Sequence, residues 1–138
     1  DLSRVHFLGR VPYPTFLTVL QVSRVHVYLA YPFVLSWSML EAMSAGCLVL
    51  GSRTPPVEEV LHHGDNGLLV DFFDVSAIAD SIVDALENPG AYRAIRQRAR
   101  RTIIDGYDLQ TIALPAQLKL LREAAEPSGP FLWNRARK

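Results

Sequence analysis

"VHVYLAYPFVLSWSMLEAMSAGCLVLGS" (residues 25–52) places an apolar run, a loop with two serines, a run of good helix formers and a second apolar run in direct succession. Short apolar runs bounded by turn signals read as strands covered on both faces. Strands are therefore expected over 25–30 and 47–52, with a helix over 38–45 closed by Gly46. A crossover of this length makes the two strands parallel. Glu41 is the only charged residue between Tyr31 and Gly46. A lone carboxylate on the first turns of an otherwise apolar helix is the feature that most needs a reason.

The same alternation continues outward. "RVHFLGRV" (residues 4–11) is β-prone and predicts a strand ending near Leu8, and Pro12 and Pro14 then open a helix over 15–23. After residue 52, a Pro55-Pro56 turn leads to a short helix over 57–62. "HGDNG" (residues 63–67) is a turn, and "LLV" (residues 68–70) is a fourth strand. Helices are expected over 75–87, over 89–104 with Pro89 in its first turn, and over 109–125. The fold class is α/β, a Rossmann-like parallel sheet with helices on both faces. One domain is expected over 1–126, followed by a flexible basic tail over 127–138.

The 138 residues carry 14 Lys plus Arg against 14 Asp plus Glu, so no global field favours nucleic acid. A single cysteine, Cys47, excludes an internal disulfide and reads as an inert core thiol in a reducing, cytoplasmic setting. The longest charge-free window, residues 25–40, is too short and too interrupted to span a bilayer.

In open parallel sheets, ligands sit beyond the carboxyl ends of the strands, at the amino ends of the following helices. The loop over residues 31–38 falls there, and its free amides and the helix dipole suit a phosphate. Ser36 and Ser38 add hydroxyls, and either can cap the helix. Glu41 lies one turn inside, with a side chain that leans back toward the amino end and can accept hydrogen bonds from hydroxyls. Each feature has a plainer reading: Glu41 as a solvated helix glutamate, the serines as caps alone, Trp37 as packing rather than a stacking platform. His26 reads as a hydrogen-bonded core histidine, and His62 and His63 as loop residues with no metal site. Arg93, Arg96 and Arg100, with Arg98 and Arg101 beside them, read first as a solvated helix face. A basic patch for a peripheral membrane contact or an anionic acceptor comes second.

"LEAMSAG" (residues 40–46), then "CLVLGS", then "EEVLHHGDNGLLV" (residues 58–70) resembles the carboxyl-terminal half of the family 4 glycosyltransferases, retaining enzymes of the two-domain GT-B fold. The resemblance covers about residues 5–121. It implies that Glu41 accepts hydrogen bonds from the nucleotide ribose. It also implies that the loop around Ser36, Trp37 and Ser38 takes the pyrophosphate, that Gly9 and Val11 lie beside the nucleobase, and that Glu59 matches a further family glutamate. Phe33 falls where the family has the glutamate that faces the donor sugar, and a phenyl ring cannot accept hydrogen bonds from sugar hydroxyls. Val34, Leu35 and Ser36 stand where the family has a Gly-Phe-Gly loop.

The resemblance thus implies an incomplete donor-binding domain. The full-length parent would transfer a sugar from a nucleoside-diphosphate-sugar to a hydroxyl acceptor, without metal or other cofactor, and this piece alone would be inactive. The competing expectation is a non-catalytic binding or assembly module with a decayed donor site. A receiver-type α/β module would need acidic residues at the end of the first strand, and "FLGRV" has none. A sheet lacking the family's first strands is expected to expose an unpaired edge and an apolar face, which favours a dimer.

Overall fold

The computed structural model describes residues 2–31 and 34–125. Its centre is β2 (Leu48–Ser52), the one strand with all five residues buried. Strand β1 (Val25–Tyr28) pairs with it in parallel, Val25 opposite Leu48 and Tyr28 opposite Gly51. On the other side β3 (Leu68–Val70) also pairs in parallel, Leu50 opposite Leu68, giving the order β1-β2-β3. Helix α1 (Tyr13–Val22) precedes β1, α2 (Trp37–Ala45) joins β1 to β2, and the short α3 (Pro55–Glu58) follows β2. Helices α4 (Val75–Glu87), α5 (Arg93–Tyr107) and α6 (Leu114–Ala125) complete the order, with a π-helical turn over Leu109–Ala113 before α6. Helix α2 packs on β1 and β2, and α4 on all three strands, so the expected α/β class with a parallel sheet flanked by helices is what the chain adopts.

The expected strand over 4–8 does not form, and residues 2–10 are exposed, Phe7 at 89%. β propensity alone does not make a strand, because its backbone groups need a ladder. Strand β1 is correspondingly an edge with no partner on its outer side among the described residues. Val27 and Leu29 remain exposed, which corrects the expectation of a strand covered on both faces.

The core gathers Met39, Ala42 and Met43 of α2 with Val49, Val57, Val60, Leu61 and Leu69, and receives Ala99 and Ile103 from α5. Gly46 ends α2 at φ 78°, a left-handed conformation that suits glycine. The amides of Gly46 and Cys47 then close on Met43 O (3.1 Å) and Ala42 O (3.0 Å). Beyond the ladder, Ser52 Oγ donates to Ala30 O (2.7 Å) and accepts from Ala30 N (3.0 Å), so a buried hydroxyl extends the pairing of β1 and β2.

Helix α4 has the expected bounds, capped by Asp74 through Ala77 N. Helix α5 starts at Arg93 rather than Pro89, because Gly90 follows the proline and residues 88–92 form turns instead. The chain divides after Ile104 into two compact units. In the second, Asp108 accepts from Thr111 Oγ1 (2.7 Å), Thr111 N (2.7 Å) and Gln110 N (3.1 Å), and these bonds, the hydroxyl's first, hold its carboxyl below the usual carboxylate range. Pro115 has no N–H to offer, and the preceding turn widens so that Ala113 N reaches Asp108 O at 2.9 Å. The tail expected over 127–138 lies outside the described residues.

Candidate functional site

The carboxyl ends of the parallel strands converge on the loop that enters α2. Leu35 packs against the core, and Ser36 N donates to the Tyr28 hydroxyl at 2.8 Å, so the last residue of β1 clamps the loop. Ser36 is the cap: its Oγ accepts from Ser38 N (3.3 Å) and lies 3.1 Å from Ser38 Oγ. On either side of these anchors the surface stays open, with Val34 75% and Trp37 81% exposed. Trp37 therefore stands in solvent rather than packing between strand and helix.

Glu41 follows one turn later and is half-buried. Its Oε1 accepts a hydrogen bond from the Tyr13 hydroxyl at 2.9 Å, which bridges α1 and α2. That bond, with some burial and the carboxylate's charge, raises the Tyr13 pKa, so the phenol stays a donor. Below it lies a hollow of about 240 Å3 between the two helices, lined by Leu17, Ser44 and Arg100 among others. Gly9 (φ 61°) is exposed and Val11 half-buried, both just ahead of α1 and its Tyr13. Thr54 caps no amide of α3 through its side chain, and its buried Oγ1 has no partner among the described residues. The structure thus brings Ser36, Trp37, Ser38 and Glu41 together and adds Tyr13, a residue that sequence reading passed over. Phe33 lies outside the described residues, and Glu59 is exposed at the end of α3.

The other end of α2 is built differently. Arg96 Nε donates to Gly46 O at 2.6 Å, and Arg100 Nη1 donates to Ser44 O. Arg98 Nε binds Asp65, carbonyl and carboxylate alike, at 2.8 Å. These arginines brace carbonyl ends instead of forming a merely solvated face, since cations suit a helix carboxyl terminus. Burial pushes the Cys47 thiol pKa up, partly offset by Arg96, and Sγ contacts Ser23 O at 3.4 Å. His63 Nδ1 accepts from Leu69 N at 2.9 Å, which ties the turn to β3. His26, expected to be hydrogen-bonded, has a buried Nε2 with no partner among the described residues, and burial lowers its pKa. Among the described residues no three His, Cys, Asp or Glu side chains gather as a metal set, and no helix is long and apolar enough to cross a membrane.

Parallel strands, crossover helices and an open helix amino terminus at the strand ends define an α/β domain of the doubly wound kind, a class whose ligands sit beyond the carboxyl ends of the strands. The chain belongs to the family described as Glycosyl transferases group 1, whose model matches residues 2–102. It is 28% identical over 110 residues to N-acetyl-alpha-D-glucosaminyl L-malate synthase of Bacillus anthracis, covering 80% of this chain and 28% of that protein. Sucrose-phosphate synthase of Thermosynechococcus elongatus is similar in structure, with 27% identity and a TM-score of 0.74 over 88% of this chain and 31% of its own. Anabaena HepE, solved in complex with UDP-glucose, superposes with a TM-score of 0.78 at 21% identity, over 87% of this chain and 33% of its own, a likeness of fold. The chain spans about a third of the length of these proteins.

Proposed function

We propose that this chain supplies part of the donor site of a retaining, family 4 type glycosyltransferase. The full-length protein moves a sugar from a nucleoside-diphosphate-sugar to a hydroxyl acceptor in the cytoplasm. The observation that carries the proposal is the placement of Glu41 beside an open helix amino terminus, one oxygen held by Tyr13 and the other carrying no hydrogen bond among the described residues. In this reading Glu41 accepts from the ribose hydroxyls. The Trp37 amide and the Ser36 and Ser38 hydroxyls face the pyrophosphate, the Trp37 ring offers a stacking face, and Gly9 and Val11 flank the base. The developing charge on the departing diphosphate is met by the positive end of α2, which is electrostatic stabilisation of a leaving group and requires no metal. Turnover that persists in excess EDTA is expected.

The test is calorimetric titration of UDP and GDP into the full-length protein and its Glu41→Ala variant. Binding by the first and at least tenfold weaker binding by the second is expected. No binding by either would favour the second reading, a binding or assembly module with a decayed donor site. That reading draws on Phe33, which stands where the resemblance expects a carboxylate facing the donor sugar. The exposed edge of β1 offers a route to dimers, which light scattering would detect.

A further inference from the structure

A second cleft lies away from the candidate donor loop. It has a volume of about 450 Å3, and its lining includes Gly46, Gly90, Gln97 and the three arginines Arg93, Arg96 and Arg100. Gly46 marks the carboxyl end of α2, whose amino end carries the donor loop. Nine residues of helix separate the two by about 13 Å at 1.5 Å per residue. No carboxylate lines the cleft.

Arg96 and Arg100 each give one donor to a carbonyl at the end of α2, which fixes their guanidinium groups while further N–H donors remain. The Arg93 amide donates to Gly90 O at 3.3 Å, while its guanidinium makes no hydrogen bond or ion pair among the described residues. A helix carboxyl end carries about half a negative charge, so three guanidiniums leave an excess of roughly two and a half positive charges. The amino end of α5, which starts at Arg93, adds to that excess. Three like charges on one helix face repel. An anion between them removes the repulsion, and the guanidinium fork matches phosphate oxygens in geometry.

We propose that this cleft is a second site, for a phosphate group, held by Arg93, Arg96 and Arg100. The glycines keep its walls low: a methyl on Gly46 or Gly90 would meet nothing within 4 Å. The phosphate belongs either to a small soluble molecule or to a lipid headgroup. The two sources share the same recognition chemistry.

The experiment titrates inorganic phosphate into the full-length protein saturated with UDP, in parallel with sedimentation of vesicles of phosphatidylglycerol or of phosphatidylcholine. Arg93→Gln and Gly90→Glu are compared with the unaltered protein after thermal melting has confirmed that both fold. Phosphate binding that persists under UDP and weakens at least threefold in both variants supports a soluble ligand. Sedimentation with phosphatidylglycerol alone, lost in both variants, supports a headgroup. Absence of both, competition by UDP, or binding indifferent to both substitutions overturns the proposal. The Glu41→Ala variant should leave this binding unchanged, which separates it from the donor-site reading.

Discussion

Two connections in the first unit are built in opposite ways. The turn over residues 62–67 meets its polar needs internally. Asn66, 1% exposed, accepts from His62 N (2.6 Å) and donates to Val60 O (2.9 Å) and Thr102 Oγ1 (3.1 Å). Arg98 closes it from outside through Gly64 O and Asp65 O. The loop over residues 34–38 is anchored at Leu35 and Ser36 but presents Trp37 and Val34 to solvent. A buried polar group left unpaired costs free energy, whereas an exposed one waits at little cost. The first connection is therefore finished by the protein itself, and the second is open to completion by a ligand.

The sharpest way to break this contrast is Asn66→Ala, which leaves the amide of His62 and the carbonyl of Val60 without partners. A loss of about 3 kcal/mol is expected, readable as a lower urea midpoint, and a change under about 1 kcal/mol would show that the turn is not internally completed. For Glu41→Ala the expected effect is on binding rather than folding. Tenfold weaker nucleotide affinity, about 1.4 kcal/mol, should accompany a nearly unchanged melting curve. Ser36→Ala removes the cap and should cost about 1 kcal/mol, measured by thermal melting. Smallest in stability is Trp37→Ala, expected within about 0.5 kcal/mol of the unaltered protein. Marked destabilisation there would mean that the ring is structural and the loop not open.

His26 supplies a pH-dependent check on the buried side. Burial holds its pKa below the unfolded value, so above about pH 6.5 it is neutral in both states and contributes no slope. As pH falls below that value, the unfolded chain takes up a proton that the folded chain refuses, and stability declines until the lowered folded pKa is reached. Urea midpoints between pH 7 and pH 5 should show this decline, and His26→Gln should flatten it.

Much of the fold was legible because periodicity and turn chemistry are local. Leu68–Val70 and Val75–Glu87 occur where the sequence places them. The strand expected at residues 4–8 failed because pairing is not a property of the segment that pairs. The candidate site divides in the same way. Ser36 and Glu41 can be read from one helix start, but the Tyr13 hydrogen bond joins residues 28 apart and the Arg96 brace residues 50 apart. No local pattern encodes contacts of that range. Asn66 hid inside a turn-forming sequence that would read the same with its side chain in solvent.

The hydroxyl of Ser52 sets where the sheet ends. Because Ala30 is held by a side chain rather than by a backbone ladder, its amide should exchange slowly in the intact protein and quickly in Ser52→Ala, while Val27 and Tyr28 keep their protection. The border between rigid sheet and site-forming loop is thus set by a single replaceable oxygen. One substitution would shift that border without altering any residue that would meet a ligand.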